Sequence, residues 1–135
     1  MAIKIYGRLS SANVQKINWF CEYANISVIN LNYGGVHGKT QTTEFKEMNP
    51  NSRVPVIDDD NFILYESNAI LRYISKKFNI LNEEKKEISG KIDQWIDWGS
   101  FTFASPCSLL TAHKLSLPQD QRDELIADKA KNDIF

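Results

Sequence analysis

The sequence predicts an α/β domain in the order β-α-β-α-β-β-α over residues 1–79, followed by a partial all-helical domain over residues 84–135. Three observations predict this. Short apolar runs end at turn residues. Stretches with apolar residues at steps of three and four lie between them. A polar, charged break then separates this pattern from a long amphipathic stretch.

Ile3, Ile5 and Tyr6 form the first strand, which ends at Gly7. Val14, Ile17, Cys21 and Ala24 follow at helical spacing, with Ser10, Ser11 and Asn13 supplying capping chemistry at the start. Ser27–Leu31 reads as a second strand. Tyr33–Thr43, with three glycines and three threonines, reads as a loop leading into a helical turn near Glu44–Met48. Asn49-Pro50-Asn51-Ser52 is a turn signal. Val54–Ile57 reads as a strand, and Asp58–Asn61 as a hairpin turn into Phe62–Leu64. Glu66-Ser67-Asn68 opens a helix that buries Ile70, Leu71, Ile74 and Phe78, with Ser67 as its N-cap.

Asn79–Glu87 is the expected linker. Ile88, Ile92, Trp95, Ile96, Gly99 and Phe103 then mark one long amphipathic helix, and Pro118 is expected to start another. The closing KAKNDIF reads as the middle of a helix without a C-cap, so the second domain is expected to be incomplete.

Sixteen basic residues nearly balance seventeen acidic ones, for a net charge of -1. That balance gives no general attraction to nucleic acid or to an anionic membrane. The opening MAIKIYGRLSSANVQ lacks the apolar run of a secretory signal. Cys21 and Cys107 are isolated, so a disulfide framework is not expected, and a reducing cytoplasm is. Cys21 falls on the apolar side of its helix and reads as a buried hydrophobe. His37 and His113 lack partners at metal-ligand spacing, so no metal is expected.

Three places can carry chemistry. The first is the turn from strand one into helix one, Arg8 to Asn13, at the sheet edge where open α/β folds bind ligands. A helix N-terminus there offers unpaired N–H groups and a positive dipole end, which stabilise a thiolate. One further donor, from a serine hydroxyl or asparagine amide, lowers a thiol pKa by roughly one to two from about 8.5. Capping alone is the simpler reading of Ser11 and Asn13. The second place is Arg53-Val54-Pro55. A cis proline would turn the Val54 N–H and C=O outward to pair with an extended peptide-like ligand, whereas a plain strand entry is equally consistent with these residues. The third is Glu66-Ser67. It is a capping pair by default, and otherwise a helix N-terminus that takes a carboxylate beside an acid that takes an ammonium group. Lys39, in the glycine-rich loop, can reach a carboxylate but by default is solvated.

Together the segments YGRLSSANVQKINW, NPNSRVPVIDDDNFILYESNAILRYI and DQWIDW resemble the glutathione transferase family, in particular its bacterial theta-, zeta- and nu-like members. The resemblance implies a thioredoxin-like N-terminal domain, a helical second domain, a homodimer, and glutathione as cosubstrate. It implies Ser11 as the residue that activates the thiol, with Asn13 in the corresponding role of nu-like members and Ser10 as neighbour. Val54, with Pro55 cis, would pair with the cysteinyl backbone. Glu66 and Ser67 would hold the γ-glutamyl end, and Lys39 and Arg53 the glycyl carboxylate. The implied activity is conjugation of glutathione thiolate to apolar electrophiles, a detoxification reaction. Its alternatives are glutathione-dependent disulfide or peroxide reduction, and a binding module without catalysis. Family members carry more helices in the second domain than this chain does, which leaves the electrophile pocket undefined.

Overall fold

The computed structural model describes residues 2–81 and 85–134. The expected linker includes residues 82–84, which lie outside the described residues. The chain divides into two compact units, residues 1–81 and 82–135.

In the first unit the order is β1 (Ile3–Tyr6), α1 (Ala12–Tyr23), β2 (Val28–Leu31), α2 (Thr43–Met48), β3 (Val56–Asp59), β4 (Phe62–Tyr65) and α3 (Ser67–Phe78). The sheet order is β2-β1-β3-β4. β1 runs parallel to β2, with Ile3 opposite Val28, and antiparallel to β3, with Ile5 opposite Ile57. β3 and β4 are antiparallel. This is the β-α-β-α-β-β-α order read from the sequence, in the thioredoxin-like arrangement that the resemblance implies.

Alternation along β1 decides what lies on each face of the sheet. Ile3 and Ile5 point into a core shared with Val14, Ile17 and Cys21 of α1, Ile57 of β3, and Ile70 and Ile74 of α3. All eight are fully buried. Tyr6 and its partner Val56 take the opposite face. There Tyr6 meets the edge of Tyr33, which stacks on the buried Phe45 of α2. Thr42 caps α2, its side chain accepting from the Phe45 N–H.

The strand read from Val54 opens at Val56 instead. Pro55 has no N–H to give a ladder, so pairing begins one residue later. The β3–β4 turn is the two-residue Asp60-Asn61, both at positive φ (52° and 70°). Asp and Asn tolerate that region, which a two-residue hairpin turn requires at both positions. Asp58 Oδ1 accepts the Asn61 N–H at 2.9 Å and closes the turn.

In the second unit, α4 (Lys86–Trp98) leads into a wide-turned segment, Gly99–Phe103. α5 (Ala104–Thr111) and a second wide segment, Ala112–Ser116, follow. The expected long helix therefore does not stop at Phe103. It continues to Ser116, widened twice to five-residue hydrogen-bond spacing. The helix expected from Pro118 begins later, as α6 (Glu124–Asn132). Pro118 opens only a single tight turn, Gln119–Gln121. The true cap is Asp123, whose Oδ1 accepts from the Leu125 and Ile126 N–H groups. His113 Nδ1 accepts the Asp123 N–H at 3.0 Å, which gives that histidine a local structural role.

One carboxylate ties the β hairpin to α3. Asp59, at the end of β3, is 5% exposed and accepts the Tyr73 hydroxyl at 2.6 Å and the Lys77 ammonium. Burial opposes the charged form, but the Lys77 and Tyr73 hydrogen bonds outweigh it and hold the carboxyl below its ordinary pKa. A depressed pKa stabilises the fold above the unfolded-state value of about 3.9, and that contribution is lost as pH falls through the folded-state value. Urea midpoints should therefore fall below about pH 4. Asp59→Asn should lower the midpoint at pH 7 and flatten the decline in acid. An unchanged acid limb in that variant would remove Asp59 from the account.

Candidate functional site

Gly7 ends β1 because α1 returns very close to it. A Cβ at Gly7 would lie 2.4 Å from Val14 Cγ2. Ser11 is the N-cap residue of α1 by backbone, at φ -84° and ψ 122°, and its carbonyl accepts the Val14 and Gln15 N–H groups. Its side chain makes no capping bond. The hydroxyl is thus not spent on closing the helix, which capping alone would require.

Asn49 builds the second wall. It is 2% exposed, and each face of its amide is used locally. Nδ2 donates to the Arg53 carbonyl at 2.8 Å, and Oδ1 accepts the Asn51 N–H at 3.0 Å. The Ser52 N–H donates to the Asn49 carbonyl at 2.9 Å, with Ser52 at φ 54°. This small ring delivers Val54-Pro55, whose peptide bond is cis. Among the described residues the Val54 N–H and C=O have no backbone partner. Gly34, at φ 79°, clears the other side: a Cβ there would sit 3.3 Å from Val54 Cγ1.

The third wall is the start of α3. Glu66 occupies the cap position at φ 69° and ψ 109°, and Ser67 is the first helical residue. This corrects the expectation that Ser67 is the cap. Its hydroxyl reaches across to α1 instead, donating to Asn13 Oδ1 at 3.3 Å. A non-glycine residue at positive φ persists only where its surroundings fix it, and such residues cluster at ligand sites.

Asn13, Asn49, Arg53, Val54, Pro55, Glu66 and Ser67 line one cavity of about 110 Å³. Drug-sized ligands occupy roughly 300 Å³ or more, so this space suits one end of a small peptide. Six of the residues read from the sequence meet here. Ser11 and Lys39 do not line the cavity. Ser11 lies two residues before Asn13, at the N-terminus of α1. Lys39 lies with its ammonium 5.2 Å from the centre of the Tyr33 ring.

Two residues of this region escaped the sequence reading. Asn49 passed as part of a turn signal. Lys16 lies one turn after Asn13 on α1 and donates to Asn68 Oδ1 at 2.6 Å. Burial lowers the Lys16 pKa, and the nearby Glu66 carboxylate opposes that shift. Its spacing of three from Asn13 was the available signal.

Chemically, the cavity offers an acid, a helix N-terminus and unpaired strand-like backbone. An ammonium group, a carboxylate and an extended peptide answer these in turn. Among the described residues no cluster of three or more His, Cys, Asp or Glu is placed to hold a metal. No helix among them is long and apolar enough to cross a membrane.

The family profile for the glutathione S-transferase N-terminal domain matches residues 1–76. The chain is 28% identical over 130 residues to the glutathione S-transferase GstB of Escherichia coli K12, covering 93% of this chain and 62% of that protein. It superimposes with a TM-score of 0.84 on the theta class glutathione S-transferase of Xanthomonas axonopodis pv. citri, a structure with glutathione bound. That match has 32% identity and covers 96% of this chain and 63% of that one. A third relative, a probable elongation factor 1-gamma 2 of Arabidopsis thaliana, is 31% identical over 102 residues, 74% of this chain and 25% of that protein. The chain thus spans about three-fifths of the length of the first two.

Asn49→Ala removes a buried amide and leaves the Arg53 carbonyl and Asn51 N–H without partners. The expected loss is about 1–3 kcal/mol of stability by urea denaturation. Amide exchange should rise first at residues 51–56. Uniform exchange across the domain would show that the ring of bonds is not a local device.

Proposed function

The chain belongs to the glutathione S-transferase family, and from that premise we propose that it binds glutathione and transfers its thiolate to apolar electrophiles. The observation that carries this reading is the convergence of Val54-Pro55, Glu66, Ser67 and Asn13 on one cavity beside the N-terminus of α1. Glutathione lies extended along Val54, pairing its cysteinyl N–H and C=O with that residue's backbone. Its γ-glutamyl end enters the cavity at Glu66 and Ser67. Arg53, and Lys39 from its loop, attract the glycyl carboxylate.

The sulfur then reaches the first turn of α1. Ser11 donates its hydroxyl proton into a hydrogen bond with the sulfur, and the helix dipole adds to it, so the thiol ionises nearer neutral pH. The thiolate attacks an electrophilic carbon, a C–S bond forms, and the leaving group departs with its electron pair. The thiol proton passes to solvent. No metal and no covalent enzyme intermediate enter this scheme. We assign the protein to the cytoplasm, as a homodimer engaged in detoxification. Asn13 accepts the Ser67 hydroxyl, which engages it at the γ-glutamyl end; this favours Ser11, with Ser10 as its neighbouring alternative, as the thiol partner, and conjugation over disulfide or peroxide reduction.

A second reading has a specific support. The elongation factor 1-gamma relative shows that similar sequence occurs in proteins not named as transferases. A binding module with this fold would retain glutathione and turn nothing over.

Ser11→Ala tests the main reading through the pH dependence of kcat/KM with an aryl halide. The expected result is a thiol pKa raised by roughly one to two and a rate at pH 7 lower by about tenfold or more. An unchanged profile would reject Ser11 as the activator. A small disulfide assayed in parallel separates conjugation from reduction. Retention on immobilised glutathione with neither activity would establish the binding module.

A further inference from the structure

We propose that Lys16 is the cation of the γ-glutamyl subsite and recognises the α-carboxylate of glutathione while Glu66 takes the ammonium group; this rests on the reading that the cavity receives glutathione.

The argument starts from one face of α1. Asn13 and Lys16 are three residues apart, hence on the same side of the helix. Both reach the first turn of α3: Asn13 meets Ser67 at 3.3 Å and Lys16 meets the next residue, Asn68, at 2.6 Å. Two successive residues of α3 are thus answered by two stacked residues of α1. The first of these pairs lies on the cavity wall.

The partner of Lys16 is a neutral amide oxygen, and the first turn of α3 holds no acidic residue. An amide satisfies a donor but cancels no charge. Lys16 is only half exposed, so solvent screens it incompletely. Glu66, at the cavity wall, is the anion near it. Taken alone, Glu66 would repel a ligand carboxylate. Glu66 and Lys16 together present one charge of each sign, which matches the zwitterionic head of an α-amino acid. A γ-linked glutamyl group keeps that head intact at the end of a peptide, whereas an ordinary N-terminal residue has its carboxyl group in the chain. Lysine carries a flexible four-carbon stem. Its ammonium group can leave Asn68 for a carboxylate at the α3 N-terminus without moving the helix, and Asn68 is its resting place.

Calorimetry tests this with glutathione, with 4-aminobutanoyl-Cys-Gly, which lacks only the α-carboxylate, and with glutaryl-Cys-Gly, which lacks only the ammonium group. Lys16→Met should weaken glutathione and the glutaryl peptide by about tenfold or more, and shift the aminobutanoyl peptide by less than about twofold. Lys16→Gln keeps a donor for Asn68 but no charge, and should behave like Lys16→Met. Lys16→Arg should retain most of the affinity. Equal weakening of all three ligands, or wild-type affinity in Lys16→Gln, would show that Lys16 only staples α1 to α3 and would overturn the assignment. Wild-type protein that discriminates against the aminobutanoyl peptide no more than Lys16→Met does would overturn it as well, whether or not the variants fold equally. Wild-type protein that binds none of the three would overturn the glutathione reading itself, and Lys16 with it.

Discussion

Everything at this site depends on how closely α1 lies over β1. Gly7 leaves no room for a side chain beneath Val14, and that contact fixes the first turn of the helix. From it follow the positions of Ser11, Asn13 and Lys16. The apolar residues of the same helix, Val14, Ile17 and Cys21, meet Ile70 and Ile74 of α3 in the core. The polar face of α1 therefore has to meet the first turn of α3 at the rim. The cavity is the polar rim of an apolar contact. Its geometry is set by packing beneath the polar side chains that line it.

The loop from Asn49 to Pro55 works differently. It contains no regular element, yet one buried residue holds it: Asn49 binds the Arg53 carbonyl and the Asn51 and Ser52 N–H groups, and leaves the Val54 backbone outside that ring. A loop held this way would give up little entropy to a peptide laid against it, because these bonds form within the chain itself. Placing Val54 just outside the ladder, with β3 starting at Val56, leaves one strand position of the sheet for another chain to fill.

The first unit was legible in the sequence because its core alternates with the right periods: two along β1, and three and four along α1 and α3. Six of the eight residues assigned to the site meet at one cavity because they sit beside those regular elements. What escaped has physical causes. Asn49 reads as a turn residue because nothing in a sequence tells a buried amide from a solvated one. Lys16 went unread because its partner Asn68 is brought near only by the fold. Ser67 looked like a cap because Glu66 in a left-handed backbone region is improbable on propensity alone. In the second unit, the apolar steps along α4 do not reveal where the helix widens. Pro118 attracted the start of α6 away from Asp123, which has the better capping chemistry.

Burial leaves one more mark, on the thiol of Cys21. Within the shared core its pKa is pushed up to about 11, so at pH 7 on the order of one molecule in ten thousand carries it as a thiolate. The half-buried Cys107 is the other cysteine of the chain. A maleimide dye should therefore mark the second unit and leave the first unlabelled. An alkylating compound added in a turnover assay would leave that interior sulfur untouched, so its side reaction with the protein's own thiols would fall on Cys107.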